Sequence, residues 1–412
     1  MKNKRAVIIL FQCIFLMLPV WAADDSALDR LPIGASPQRL ELAALEAGLA
    51  MDTATGSQAD MASLVRRYRD RDLFVIGEAH DSHACHAWQK DFIEALAGEH
   101  PRLVVGFEFF TRDDDPALAL YLEGKIGEDE LLQKTGWYLR SSLNFGYTRL
   151  VLETVKKLGL KAVGLNVPRE LIRRVAKGGT AGLSAAERDL FPGVERGDAQ
   201  HEFFIRATLG AFAVQMPQWF RGVYAAQKCW DAVMAESMRR ALARPGLRGQ
   251  KGVIIAGSAH VAYGLGIPWR YRRFDGRARI LTLVPVMVPA ENKESHDEQS
   301  PMVSALAGQL QPAAVFSRGL ADVVFAVPAG EKPYFAEAGF SGRMNSNGAY
   351  EVDRVAKDSP AEKSGLRKGD IILAVGGVPV KSLEGLRLLL AQKNWGDELE
   401  LDIRKALPLN GE

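Results

Sequence analysis

The sequence is poor in cysteine, with three in 412 residues at positions 13, 85 and 229. None belongs to a Cys-x-x-Cys pair, which excludes dithiol redox and zinc-ribbon chemistry, and the Cys-x-x-Cys-His signature of covalent haem attachment is missing as well. An excess of either charge is also lacking: 52 bases stand against 50 acids, whereas a nucleic-acid binder carries a marked basic surplus. There is no internal repeat and no low-complexity tract. The longest apolar run, Ala6 to Val20, falls short of the roughly 20 residues of a membrane-spanning helix.

That run has Lys2, Lys4 and Arg5 before it and Val20-Trp21-Ala22 at its end, with Asp24 and Asp25 following, so Met1–Ala22 reads as a cleaved secretory signal peptide rather than a retained anchor. Cys13 follows Phe11-Gln12 and lacks the small residues of a lipoprotein acylation site, so the expected product is a soluble periplasmic protein. Without the three leading bases, 49 bases face 50 acids, a formal charge of −1. In that compartment Cys85 and Cys229 are free to pair or to stay as buried thiols, and the sequence leaves both open.

The remaining length exceeds one typical domain, and 47% hydrophobic content is ample for packed cores, so two domains are expected. Short, nearly continuous apolar runs at Leu73–Ile76, Leu103–Phe107, Ala162–Leu165, Val253–Ala256, Ile280–Val284 and Val323–Val327 read as buried parallel strands. Between them Ala84–Ala97, Tyr147–Leu158, Glu170–Lys177 and a tract from about Glu202 to Leu242 read as helices, the last interrupted at Pro217. The pattern predicts an α/β fold, a mainly parallel sheet with helices on both faces, followed by a small β-rich module. Residues 291–301 read as a solvated loop, and the domain boundary is placed near Ala329 to Pro333. The expected division is 1–22 signal peptide, 23–330 α/β domain, 331–412 second module.

Four of these strands run straight into polar residues: Gly77-Glu78-Ala79-His80, Phe107-Glu108, Asn166 with Arg169, and Gly257-Ser258-Ala259-His260. In an open parallel sheet the C-terminal strand ends share one rim, where ligands bind, so these residues are expected to converge. Glycine allows a sharp exit from the strand and histidine then arrives at the rim. His80, Glu108 and His260 form a set able to hold zinc, manganese or iron, and a carboxylate beside a metal serves as general base. His83 and His86 continue a spacing of three, with exposed helix positions as the plainer alternative. The helix Gln227–Arg240 can deliver Asp231 to the same rim, a surface salt bridge being the simpler reading of Asp231 alone.

In residues 349–405, Ser359-Pro360-Ala361-Glu362 caps a short helix that ends at Gly365, Asp370–Val375 is a strand, Gly376-Gly377 a turn, Ser382 caps a leucine-faced helix, and Glu398–Arg404 alternates as a strand. The run Ser-Pro-Ala-Glu-Lys-Ser-Gly-Leu-Arg-Lys-Gly-Asp-Ile-Ile-Leu-Ala-Val-Gly-Gly resembles a bacterial PDZ domain. The resemblance implies capture of a protein C-terminus by strand addition, with Gly339, Phe340, Ser341 and Gly342 as the carboxylate loop and Phe340 lining the pocket. Arg343 and Asn345 are unusual for the peptide-pairing strand, so a PDZ fold kept for packing or dimerisation stays open.

The first domain resembles the haem-binding ChaN family, within the superfamily of Tiki proteases, TraB proteins and erythromycin esterases. The matching pieces are Ile76-Gly-Glu-Ala-His-Asp81, Gly106-Phe-Glu108, Trp137 with Tyr147, Val163 to Arg169, Gln227-Lys-Cys-Trp-Asp231 with Met234-Ala235, and Ile255 to Gly264. By resemblance the site maps onto Glu78, His80, Glu108 and His260, with Asn166 and Arg169 beside them, and Asp231 stays a candidate from the matching helix. ChaN itself is a lipoprotein, which this chain is not expected to be, and Lys228 stands where arginine is expected. The resemblance implies haem binding for iron acquisition or haem handling. Tyr147 and Tyr263 are then axial candidates, His83 or His86 the other type, and Arg140 and Arg169 partners for the propionates. The alternative is a hydrolase using a divalent metal on His80, Glu108 and His260, with PDZ tethering of substrate or partner, and a third reading is a non-catalytic adaptor. Whether the rim is catalytic, and whether the chain forms a homodimer, the sequence leaves open.

Overall fold

In the computed structural model, residues 4–9, 25–289, 312–329 and 333–406 are described. The expected cleavage site, Cys13 and the loop at 291–301 lie outside them, as do residues 330–332 of the expected boundary. The chain divides into two units. The larger, Val20–Leu131 with Leu150–Glu331, holds the α/β fold.

All six expected parallel strands form there: β1 Leu73–Glu78, β2 Leu103–Thr111, β3 Lys161–Asn166, β4 Lys251–Gly257, β5 Ile280–Val288 and β6 Val323–Pro328. Their spatial order is β6-β5-β1-β4-β2-β3, and Ala50–Asp52 and Ser57–Gln58 extend the β6 side as an antiparallel edge. The chain moves from β1 to β2 and β3 on one side, returns through β4 into the gap between β1 and β2, and continues to β5 and β6 on the other. The reversal of direction therefore lies at β1–β4–β2, where an open α/β sheet forms its crevice.

The strands are almost wholly buried, as helix-covered parallel strands must be. Glycine permits two close approaches among them. At Gly164 a Cβ would stand 1.9 Å from the Thr111 carbonyl oxygen, so β2 and β3 cross there only because no side chain intervenes. Gly257 does the same for a side chain of the rim.

Helix α1, His83–Glu99, is capped by Ser82, whose hydroxyl accepts from the Cys85 N–H at 3.2 Å. The tract expected from Glu202 onward is three helices: α2 Ala199–Thr208, a short turn at Ala211–Gln215, and α3 Pro217–Ala243. Pro217 starts the long helix, where its missing N–H costs nothing. Cys85 and Cys229 are both free and buried, which settles the open alternative against a bridge. Burial pushes the Cys229 thiol up to about 12, and the Cys85 thiol is raised as well. Thiol reagents are expected to label the native protein only after denaturation; prompt stoichiometric labelling of either cysteine would contradict this packing.

The smaller unit gathers Met1–Pro19, Leu132–Arg149 and Lys332–Glu412. Its sheet has the order Lys4–Ile9, Glu398–Arg404, Ile371–Val375, Tyr350–Val355, Phe340–Met344, with Val378–Pro379 paired to Ile371–Val375. Ser359 and Ser382 cap the helices Pro360–Lys363 and Leu383–Ala391, accepting from the N–H groups of Glu362 and Gly385. Residues 132–149 belong to this unit through polar contacts that periodicity does not reveal. Arg387 donates to the carbonyls of Tyr138 and Ser141 at 2.9 and 3.2 Å, and Asn144 donates to the carbonyl of Ala391 at 3.3 Å.

Candidate functional site

The rim of the α/β unit is built by two histidine–carboxylate groups on neighbouring strands. In the first, Glu78 closes β1, paired in register with Gly257 of β4, and is 5% exposed. One carboxylate oxygen accepts from His80 Nδ1 at 2.9 Å. The other accepts from Gln89 Nε2 at 3.1 Å and lies 3.5 Å from His86 Nε2. His86 Nδ1 donates to the Ser82 carbonyl at 2.8 Å; since that oxygen only accepts, the Nδ1 proton is fixed. Burial by itself would raise Glu78, but the charge of His86 and the His80 hydrogen bond outweigh it and hold the carboxyl below its usual range. Burial likewise acts to lower His80, and the bond to Glu78 reverses this and raises it.

In the second group, Glu108 sits where the β2–β3 register breaks, between Phe107 and Thr111. Its Oε2 accepts from the Gly257 N–H at 2.8 Å and its Oε1 lies 3.5 Å from His260 Nε2. His260 Nδ1 donates to Asp231 Oδ1 at 2.6 Å, and Asp231 is 0% exposed. With a carboxylate on each ring nitrogen, His260 is pushed up to about 10 against the opposing pull of burial, and Glu108 is pushed down to about 2. Gln227 Nε2 stands 2.9 Å from His260 Nδ1. A nitrogen already donating to Asp231 cannot also accept from an amide, so the Gln227 side chain presents its oxygen there.

Two buried atoms beside this group have no hydrogen-bond partner besides one another, Asp231 Oδ2 and His201 Nε2, which are 3.5 Å apart. Burial lowers His201 although Asp231 pulls it upward. Asn166 Nδ2 donates to the Glu108 carbonyl at 2.9 Å, while its buried Oδ1 has no hydrogen-bond partner.

His80 joins the two groups. Its side chain is 41% exposed, and its ring lies over Gly257, where a Cβ would come within 2.9 Å of Cε1 and 3.0 Å of Nε2. Phe109 meets that ring edge-on at 4.8 Å, and Trp230 does the same to His260 at 6.3 Å. His80 Nε2 makes no hydrogen bond among the described residues.

Glu78, His80, Glu108, Asn166 and His260 are thus brought together as the strand ends predict, and helix α3 adds Asp231. Asp231 is fully buried at the site, which corrects the surface-salt-bridge reading of it. His86 and Tyr263 correct two further expectations. Arg169 begins the helix Arg169–Gly178, is exposed, and makes no ion pair among the described residues. His86 is 2% exposed with both nitrogens turned to protein oxygens, so it is neither an exposed helix position nor an open ligand. His83 is half-buried at the start of α1.

The Tyr263 hydroxyl donates to the Leu28 carbonyl at 2.5 Å and accepts from the Leu31 N–H at 3.0 Å, and burial raises its pKa; it fastens the N-terminal segment instead of offering a phenolate. Tyr147 and Arg140 lie in the smaller unit, the tyrosine hydroxyl accepting from the Tyr334 N–H at 3.2 Å and the guanidinium bound to the Thr135 carbonyl. Among the described residues no group of three or more His, Cys, Asp and Glu side chains is disposed to hold a metal ion. Gln89 and His201 were not foreseen: a neutral amide in the middle of a helix and a histidine outside any motif carry no local signal.

In the smaller unit, Phe340–Met344 forms the edge strand, paired only with Tyr350–Val355 among the described residues. Gly339 has φ +81°, Phe340 is half-buried against Tyr350, the Ser341 hydroxyl donates to Asp353 at 3.0 Å, and a Cβ at Gly342 would lie 2.1 Å from the Glu351 carbonyl oxygen.

A family model described as haem-binding uptake, Tiki superfamily, ChaN matches residues 64–271, and a PDZ model matches 351–405. No curated protein matches the chain by sequence. Among solved structures it is similar to ChaN of Campylobacter jejuni, described with cofacial haem binding, at 17% identity over 67% of this chain and 95% of that one, TM-score 0.48. An erythromycin esterase in its open conformation is similar at 12% identity over 65% and 94% of the two chains, TM-score 0.38.

Proposed function

Because the chain belongs to the ChaN haem-binding uptake family of the Tiki superfamily and carries a PDZ domain, we propose that it holds haem at the rim of its parallel sheet, for iron acquisition or haem handling in the periplasm. The observation that carries this reading is that the family match encloses every rim residue, Glu78 through His260. The donor chemistry fits. A histidine that binds a metal donates its second ring N–H to a carboxylate, which fixes the tautomer and strengthens the open nitrogen. His80 has this arrangement, with Nδ1 on Glu78 and Nε2 open. Phe109 and Trp230 offer apolar surface beside it, and His260, protonated at neutral pH, balances the charge of Glu108 and Asp231 in the same crevice. Bound haem would supply an iron centre for His80 to ligate. The PDZ domain would pair a protein C-terminus along Phe340–Met344.

Haemin added to the purified protein is expected to give a stoichiometric Soret band, with affinity reduced roughly tenfold in Glu78→Gln, in line with the loss of an outer partner of a metal ligand. Absence of a band in the wild type would remove the reading.

The two histidine–carboxylate pairs favour a second reading, proton-transfer hydrolysis of an ester or peptide bond. A carboxylate held near 2 is a weak base and a histidine held near 10 is already protonated at neutral pH, so neither Glu108 nor His260 suits the role of base. Glu78, whose carboxyl is also held below its usual range and is tied to His80, His86 and Gln89, is no better a base, which leaves His80 with its open Nε2. On this reading His80→Ala lowers turnover by 10²-fold or more, about the usual contribution of a general base; a wild-type protein inert across a broad panel of esters and peptides would sink it.

A further inference from the structure

Between Glu202 and Asp231 the chain carries three bases, Arg206, Arg221 and Lys228, and no acid. Inside that tract residues 211–219, Ala-Phe-Ala-Val-Gln-Met-Pro-Gln-Trp, are uncharged, and all except Ala213 are exposed. Phe212 is 43% exposed, Val214 72%, Met216 49% and Trp219 39%, and Phe203 on α2 adds another at 50%. The segment is fastened from beneath. Ala213 and Phe220 are buried in the main core, Phe220 stacks on Tyr224, and the Arg206 guanidinium covers the Phe220 ring at 3.9 Å. The apolar side chains are thus held outward by an anchored backbone, and a cluster of this kind marks an interaction surface.

The charges select the occupant. Arg206 is neutralised by Glu202 at 2.9 Å, while Arg221 is exposed with no ion pair among the described residues and Lys228 lies over the Tyr224 ring. Aromatic and aliphatic side chains in the middle, with Arg221 and Lys228 on the α3 side and the one neighbouring acid, Glu202, paired to Arg206, complement a bilayer with anionic headgroups. A two-fold pairing with a second copy would set this basic flank against itself. No described helix is long and apolar enough to cross a membrane, so contact would be interfacial.

We infer that residues 211–219, with Phe203 and Arg221, dock the α/β unit on an anionic phospholipid surface. Helix α3 begins in this segment and carries Gln227 and Asp231 about 12 and 18 Å further along its axis, so a docked face lies close to the rim. The inference rests on exposure and charge and is independent of what the rim binds.

The test is co-sedimentation of the full chain with phosphatidylcholine vesicles, with and without phosphatidylglycerol, for the wild type, Phe212→Ser/Trp219→Ser and Arg221→Glu. The N-terminal apolar run is common to all three, so differences belong to the segment. Binding is expected to rise with phosphatidylglycerol, to fall at least fivefold in both variants, and to weaken with salt. Brominated acyl chains are expected to quench wild-type tryptophan fluorescence more than that of Trp219→Phe, a substitution that keeps the fold. Equal binding and quenching in wild type and variants would overturn the inference. So would a concentration-dependent dimer that the double variant abolishes while vesicle binding is unchanged.

Discussion

Asp231→Ala is expected to destabilise the α/β unit by roughly 3–5 kcal/mol at pH 7, the usual cost of leaving one member of a buried ion pair alone. Asp231 is fully buried, 2.6 Å from His260 Nδ1, and removing it leaves an imidazolium balanced only by Glu108 at 3.5 Å. The pH dependence follows from the same contacts. His260 is raised from 6.5 to about 10, so its contribution is complete below about 6.5 and lost as pH climbs through about 10. Glu108 is lowered from 4.5 to about 2, so its contribution is complete above about 4.5 and lost as pH falls through about 2. Denaturant unfolding should therefore show a wild-type plateau between these limits and an alkaline loss that is blunted in Asp231→Ala. A change below about 1 kcal/mol, in the range of exposed pairs, would show that the group is solvated rather than buried.

Gly257→Ala is expected to weaken haemin binding roughly tenfold or more, about 1.4 kcal/mol, with little loss of stability. Gly257 has φ −51° and ψ 141°, which alanine adopts without strain, so the backbone need not move. The new methyl meets the His80 ring at 2.9 Å, and that ring, 41% exposed, can swing away. Swinging breaks the 2.9 Å bond to Glu78 that aims Nε2 at the crevice. Haemin titration and thermal melts of the same sample check both halves. Unchanged affinity would mean that His80 is not held where the ligand binds.

The strands were legible because a strand covered on both faces must be apolar throughout, and β1 to β4 announce their ends by switching abruptly to Glu, His or Asn. Parallel pairing then brings Glu78, Glu108 and His260 to one rim although the intervening chain is long. What could not be read was the use of polar atoms. Tyr263 looks like a ligand until its hydroxyl is seen tied to Leu28 and Leu31, more than 200 residues earlier. Asp231 on a helix resembles any surface acid, and although helical spacing could carry it to the rim, nothing local decided between the two. His86 and Gln89 serve Glu78 through helical geometry that a spacing of three only hints at. Residues 132–149 give no sign of belonging to the smaller unit, because the bonds from Arg387 and Asn144 that hold them involve backbone carbonyls, which every residue has.

The axial-ligand spectrum of the haemin complex, read by magnetic circular dichroism in wild type, His80→Ala and Tyr263→Phe, tests the central claim most directly. An imidazole-type signature that survives Tyr263→Phe and disappears in His80→Ala is the predicted result. A phenolate-type signature lost in Tyr263→Phe and indifferent to His80→Ala would contradict it.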